Sequence, residues 1–154
     1  MDVISINCSF SRYLYDKVEK IASLNKYDIV FFPDLMKNEI SKETSIGLSM
    51  NNSLGKGELL KNEDINSLIT NEILALKSRK IIIMGYPKTK TQFELLNEIL
   101  NNKYDNIRFT GIFSATDKRK ENIEQDKILK ECFREKGRYI ELSNFDDFLG
   151  DFIK

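Results

Sequence analysis

Apolar and polar residues follow two alternating periods along this chain. Short runs rich in β-branched and aromatic residues predict strands, while longer stretches with apolar residues three and four apart are typical of amphipathic helices. The strands and helices are expected in the order β-α-β-(ααα)-β-α-β-α-β-α. This alternation predicts a three-layer α/β/α fold with a five-stranded parallel sheet. The predicted strands cover residues 3–7, 29–32, 81–84, 107–113 and 138–142.

Three helical stretches stand between the second and third predicted strands, where a simple alternating fold has one. They cover 34–41, 44–54 and 62–76, and Asn62 is expected to cap the third. Further helices are expected at 11–24, at 89–101 behind a Thr89 cap, at 117–136, and after Asn144. No internal repeat or linker divides the chain, so we expect one domain over residues 1–154, with residues 34–76 as a helical insert.

Composition excludes several function classes. The 24 acidic and 24 basic residues give a net charge of zero, so global charge favours neither nucleic acid nor an anionic membrane as a partner. Histidine is absent, which rules out Ser-His and Cys-His nucleophilic catalysis. The two cysteines, Cys8 and Cys132, can form neither a disulfide framework nor a zinc ligand set, so no metal site is expected.

The sequence start does not resemble an export signal, and no apolar run approaches the ~18 residues that cross a bilayer. We therefore expect a cytoplasmic protein without a membrane partner. Nothing in the composition identifies a protein partner.

Three sequence blocks resemble the adenylate kinases, a family of nucleoside-monophosphate kinases. Residues 84–92 read Met-Gly-Tyr-Pro-Lys-Thr-Lys-Thr-Gln, similar to the family's Asp-Gly-Phe-Pro-Arg-Thr-x-x-Gln. Residues 57–65 read Gly-Glu-Leu-Leu-Lys-Asn-Glu-Asp-Ile, similar to Gly-x-Leu-Val-Pro/Thr-Asp-Glu, and residues 34–37 are similar to Asp-Leu-Leu-Arg. The blocks follow one another at compatible spacing over about residues 28–100. The resemblance implies a P-loop nucleotide-kinase-like fold whose helical insert is of the AMP-binding type.

The same resemblance implies a half-site for a monophosphate. A strand-end glycine allows close backbone approach, a cation two residues after the tyrosine faces the AMP phosphate, and a glutamine amide pairs with the adenine edge. Two leucines of residues 57–65 would form a floor under the base. The lysine that ends residues 34–37 supplies a second cation. The nucleotide-binding residues implied are Lys37, Leu59, Leu60, Gly85, Lys88 and Gln92.

The ATP side departs from the family. The family's first strand is followed by Gly-x-Pro-Gly-Ser-Gly-Lys-Gly-Thr, whose backbone N–H groups and lysine bind phosphates. Residues 7–15 here read Asn-Cys-Ser-Phe-Ser-Arg-Tyr-Leu-Tyr, without a glycine and with Tyr13 in the lysine position. Met84 replaces the family's strand-end Asp, which helps to hold Mg²⁺, and 24 residues between Phe113 and Arg138 leave no room for the arginine-bearing lid.

The AMP side is altered less. Phe32 replaces a threonine that contacts adenine, and Lys37 and Lys88 replace arginines, which keeps the charge but loses the bidentate fork. Arg12 is the one weak candidate for a catalytic cation. Cys8, at the end of the first strand and before a helix, is either a reactive thiol or, as is more usual for a cysteine, a small buried hydrophobe.

These features favour an adenylate-kinase-like pseudoenzyme, a catalytically inactive interaction or sensing module with at most weak nucleoside-monophosphate binding. No cofactor is required, and AMP or another nucleotide is the candidate ligand. One alternative is a divergent active kinase that uses Arg12, Lys37 and Lys88. A second alternative is a purely structural subunit that retained the scaffold.

Overall fold

A five-stranded, wholly parallel sheet forms the centre of the fold in the computed structural model, which describes residues 1–9, 11–115 and 123–143. The strand order is β2-β3-β1-β4-β5, which confirms the predicted α/β sheet and the placement of β3 beside β1. Val3 lies opposite Ile81 on one side of β1 and opposite Phe109 on the other. The strands are β1 (Asp2–Asn7), β2 (Asp28–Phe31), β3 (Lys80–Met84), β4 (Arg108–Ser114) and β5 (Gly137–Leu142).

Six helices are described, three of them in the predicted insert between β2 and β3. None of these described helices combines the length and apolar character needed to cross a membrane. The helices are α1 (Arg12–Asn25), α2 (Phe32–Ser41), α3 (Ser45–Gly55), α4 (Asn62–Ala75), α5 (Lys90–Lys103) and α6 (Ile123–Lys136).

Two predicted boundaries were wrong. β2 ends at Phe31, and Phe32 already belongs to α2, because Pro33 fits the first helical turn, where its missing N–H is not needed. Lys61, not Asn62, precedes α4, and no side chain caps that helix. The predicted Thr89 cap is confirmed, since its hydroxyl accepts a hydrogen bond from the Gln92 amide. The helix expected after Asn144 and residues 117–122 lie outside the described residues.

The three central strands, β1, β3 and β4, are buried on both faces, because helices cover the sheet from two sides. The isoleucines of β3 illustrate this: Ile81 and Ile83 join the cluster under α4, α5 and α6, whereas Ile82 joins the cluster under α1. Alternate residues of β1 divide in the same way, with Val3 in the first cluster and Ile4 in the second. Continuous apolar strands of this kind are typical of parallel sheets, and for this reason the apolar runs in the sequence predicted the strands correctly.

Phe133 on α6 is the centre of an aromatic cluster on the first face. Its ring centroid lies 4.8 Å from that of Phe93, 5.8 Å from Phe113 and 6.3 Å from Phe109. Gly111 on β4 leaves the space into which this ring fits, because a Cβ there would stand 2.7 Å from Phe133 Cγ. A larger residue at position 111 would therefore displace the aromatic cluster.

We expect Gly111→Ala to lower the free energy of unfolding by about 1–3 kcal/mol, the usual cost of overpacking a core. Gly55→Ala is the control, since a Cβ at this helical glycine meets nothing within 4 Å and the change should be neutral or stabilising by up to about 1 kcal/mol. Urea denaturation of both variants measures the difference. Equal stabilities for the two variants would contradict the packing of Phe133 over Gly111.

Candidate functional site

A cleft of about 540 Å³ opens at the carboxyl ends of the central strands, between the β3–α5 turn, the start of α2 and the first turns of α4. Ligands of parallel α/β sheets bind at this edge, and the volume lies in the range of small-molecule sites. The cleft is lined by Cys8, Ser9, Phe32, Pro33, Ile65, Gly85, Tyr86, Lys88 and Gln92.

The β3–α5 turn supplies the polar wall of the cleft. Gly85 has φ of +89°, a left-handed backbone conformation that favours glycine, and the Tyr86–Pro87 peptide is cis. Gln92, in the first turn of α5, is buried and accepts a hydrogen bond from the Lys88 amide at 2.7 Å through Oε1. This bond folds the turn back onto its own helix and leaves the Lys88 side chain exposed at the rim.

Tyr86 anchors the turn to the interior. Its hydroxyl donates to the Gln92 carbonyl at 3.1 Å, with Asn66 Oδ1 also within 3.3 Å. Its own carbonyl accepts a hydrogen bond from the Ser5 hydroxyl of β1 at 3.0 Å. Burial raises the pKa of the Tyr86 hydroxyl well above its ordinary value near 10, so this group remains a proton donor throughout the physiological range.

Asn7 continues this polar string at the end of β1. Its Nδ2 donates to the Ser5 hydroxyl at 2.9 Å, while its Oδ1 is buried without a hydrogen-bond partner among the described residues. Buried polar atoms normally have partners, and an unmet one costs about 1–3 kcal/mol. Asn7 thus places an unmet acceptor at the end of β1, next in the chain to Cys8 and Ser9 of the cleft lining.

The opposite wall of the cleft is apolar. Phe32 and Pro33 come from the start of α2, and Ile65 comes from the first turn of α4. Phe32 therefore lies at the cleft, to which it contributes a ring without a hydrogen-bonding group. A planar ring could pack against this wall, whereas the wall offers no hydrogen bond with which to distinguish one base from another.

The amide of Gln92 is engaged within the protein. Its Oε1 accepts from Lys88, and its Nε2 donates to Asn62 Oδ1 at 3.4 Å. Reading an adenine edge, the role that the sequence resemblance implied, would require the amide to exchange at least one of these bonds. The structure therefore gives Gln92 a defined part in holding the turn.

The structure brings three of the six predicted nucleotide-binding residues together. Gly85, Lys88 and Gln92 line the cleft. Lys37 is exposed on α2, and Leu59 and Leu60 lie in the α3–α4 loop, outside the lining formed by the described residues. The side chain of Leu59 is 94% exposed, so the predicted leucine floor is not packed in this arrangement.

The β1–α1 connection is short and ends in a capped helix. Ser11 adopts an extended conformation, and its Oγ accepts a hydrogen bond from the Leu14 amide at 3.2 Å. Arg12, the weak catalytic candidate, is exposed as the first residue of α1 and pairs with Asp16 at 2.9 Å. Tyr13, in the position of the family's lysine, is 63% exposed.

Sequence reasoning missed Pro33 and Ile65 as cleft residues. Ile65 was recoverable from its spacing of three and four residues to Leu68 and Ile69, which are buried on the same face of α4. Within residues 1–9, 11–115 and 123–143, no group of three or more Cys, Asp or Glu side chains could hold a metal ion.

Comparison with known proteins relates the chain to adenylate kinases, although no family model matches it. It is 33% identical over 72 residues to the adenylate kinase of Campylobacter hominis, a match that covers 47% of this chain and 38% of that enzyme. It is 29% identical over 112 residues to the adenylate kinase of Thermococcus sibiricus, covering 71% of this chain and 50% of the relative. The chain thus spans half or less of these curated relatives, and the relationship is adenylate-kinase-like, partial and distant.

The buried Tyr86 hydroxyl predicts a specific alkaline dependence of stability. Because its pKa is raised in the folded state, the unfolded chain releases this proton first, near pH 10, and the free energy of unfolding falls as the pH rises above that value. We expect Tyr86→Phe to cost about 1 kcal/mol at pH 7, through the lost hydrogen bond, and to decline less steeply above pH 10.

Denaturant unfolding of both proteins at neutral and alkaline pH measures this. Tyr13→Phe is the control at pH 7, where changing its exposed ring should leave stability within about 0.5 kcal/mol. If the free energy of unfolding fell equally steeply above pH 10 in the parent chain and in Tyr86→Phe, the assigned burial of the hydroxyl would be contradicted.

Proposed function

We propose that this chain is a non-catalytic, adenylate-kinase-like interaction or sensing module that binds a nucleoside monophosphate weakly. The observation that carries the proposal is a difference between two regions of this chain, which correspond to the AMP side and the ATP side of an adenylate kinase. The cleft beside the β3–α5 turn has a pocket of ligand size with Lys88 at its rim. The β1–α1 connection has neither glycines nor a lysine in the required position.

The capped start of α1 argues against triphosphate binding. A phosphate loop works by turning successive backbone N–H groups toward the ligand. Here Ser11 Oγ already accepts the Leu14 amide, and the positive charge of Arg12 is compensated by Asp16. Losing one preorganised donor typically costs about 3 kcal/mol of transition-state stabilisation. Several such losses remove most of the rate enhancement of a kinase, because phosphoryl transfer depends on positioning and charge neutralisation.

Weak monophosphate binding follows from the contacts the cleft can offer. We propose that the phosphate lies near Lys88, with Lys37 as a second cation, and that the base packs toward Phe32 and Ile65. Each charge-assisted hydrogen bond contributes about 1.5–3 kcal/mol, against at least about 4 kcal/mol of lost translational and rotational freedom. Two such bonds leave at most about 2 kcal/mol, and packing the base against Phe32 and Ile65 adds roughly 2 kcal/mol. The balance corresponds to a dissociation constant in the millimolar range, and binding should weaken further as salt is raised.

A divergent active kinase remains the alternative, supported by the position of Arg12 at the first residue of α1, near the end of β1. In that case Arg12 would leave Asp16 and neutralise the transferring phosphoryl group. Activity measurements separate the two proposals.

We expect no ADP above background from AMP and MgATP in a coupled assay. The adenylate kinase of Campylobacter hominis serves as the positive control, and Arg12→Ala should behave like the parent chain. Turnover that disappears in Arg12→Ala would overturn the non-catalytic proposal and establish the active alternative.

We expect AMP titrated to several millimolar to shift the backbone amide resonances of Gly85, Tyr86 and residues 88–92, and those of Phe32, Asp34 and Ile65. Lys88→Gln should weaken binding about ten- to a hundredfold, the loss of one charge-assisted hydrogen bond. Lys90→Gln is the matched control, since Lys90 carries the same charge two residues away and pairs with Glu94. Shifts confined to residues 9–15, or none at all, would refute the half-site and favour a structural subunit.

A further inference from the structure

The edge of the sheet where the strands begin, opposite the cleft, carries two adjoining grooves. One has a volume of about 570 Å³ and the other about 410 Å³, and both include Asp2 and Arg108. We call this surface the basic edge, after its charged members. These are the N-terminal ammonium of Met1 and the side chains of Asp2, Arg79, Lys80, Arg108, Lys136 and Arg138.

The basic edge concentrates charge in a chain whose net charge is zero. Its described lining residues carry six positive groups and one carboxylate, Asp2. Asp28 begins β2 at the end of the same edge but does not line either groove. An uncompensated group of like charges on a neutral protein creates a local potential that attracts an anionic partner.

The cations are held mainly by neutral groups. Arg108 pairs with Asp2 at 2.8 Å, the one ion pair found among the described residues of the two grooves. Arg138 Nε donates to the Thr110 hydroxyl at 3.3 Å, and Lys80 Nζ donates to the Asn25 carbonyl at 3.3 Å. Neutral acceptors fix the side chains in place without cancelling their charge, so these positions remain available to an external carboxylate.

Tyr27 gives the smaller groove an aromatic wall. It is 8% exposed, and Lys80 Nζ lies 5.1 Å from the centre of its ring. Burial and the Asp2 carboxylate raise the pKa of the Tyr27 hydroxyl, whereas the charges of Arg108 and Arg138 lower it. Arg108 and Arg138 line this groove together with Tyr27, beside an apolar wall that includes Val3, Ile4 and Phe109.

We propose that the basic edge docks an extended acidic peptide segment of a partner protein. The cations lie at the starts of β3, β4 and β5, and four neighbouring strands at about 4.8 Å spacing extend roughly 14 Å. An extended peptide covers that distance with four or five residues at about 3.3 Å each. A single phosphate is too small to reach all the cations, and a net charge of zero with a pI near 6.4 argues against nucleic acid.

The test uses a fluorescein-labelled hexaglutamate peptide, with hexaglutamine as the uncharged control, followed by fluorescence anisotropy. We expect hexaglutamate to bind, hexaglutamine not to bind, and the binding to weaken as NaCl is raised, because exposed ion pairs are screened. AMP should not compete, since the cleft lies at the other edge of the sheet. Amide shifts caused by the peptide should map to the strand starts.

A triple variant that combines Arg79→Gln, Arg108→Gln and Arg138→Gln removes three exposed cations from the basic edge. It should bind hexaglutamate about tenfold more weakly, as expected for the loss of three exposed ion pairs. The matched control is a second triple variant that combines Lys20→Gln, Lys56→Gln and Lys127→Gln. It removes the same net charge from exposed positions on or beside helices, and it should bind hexaglutamate as the parent chain does.

Three outcomes would overturn the proposal. Equal weakening in both triple variants would reduce the effect to net charge. Displacement of hexaglutamate by low-millimolar inorganic phosphate would indicate a single anion site in place of an extended one. Tighter binding of a hexathymidylate oligonucleotide than of hexaglutamate would assign the surface to nucleic acid.

Discussion

The hydrogen bond from the Ser5 hydroxyl of the central strand β1 to the Tyr86 carbonyl is the contact on which the position of the cleft depends. β1 has a partner on each side and helices over both faces. Ser5 and Asn7 are its buried polar residues, and Ser5 bonds the Tyr86 carbonyl across to the β3–α5 turn. Since buried donors normally have partners, this bond fixes the β3–α5 turn against the sheet. The position of the turn then places Lys88 and Gln92 at the cleft.

The sequence predicts the sheet well because the central strands β1, β3 and β4 are buried on both faces and have continuous apolar runs. The β3–α5 turn is also predictable, since Gly85, Pro87 and Thr89 each have a local conformational role. The contents of the cleft are less predictable, because they depend on residues far apart in sequence. That Asn62 would occupy the Gln92 amide, or that Leu59 would be exposed, follows from tertiary packing and cannot be read from helical period.

The helical pattern of α1 shows the same limit. In the sequence, apolar residues at helical spacing place Tyr13, Leu14, Val18 and Leu24 on one stripe of the helix predicted at 11–24. In the structure Leu14 and Val18 are buried, whereas Tyr13 and Leu24 are exposed and Ala22 is buried. A stripe marks which side of a helix is apolar, whereas the neighbouring elements decide how far burial extends around it. Among the described residues, the two ends of the sheet differ in character: a cleft with one apolar wall and Lys88 at its rim lies at one end, and several cations lie at the other.

The serine cap of α1 also bears on how this chain could change over evolutionary time. Ser11 stabilises the helix start by about 1 kcal/mol, and a phosphate loop would need that helix end to be free. A variant that acquires glycines at this helix start must therefore give up the cap, and the N–H groups freed there would have only water as a partner until a ligand binds. Each such step would cost about 1 kcal/mol of helix stability before any affinity for phosphate is gained.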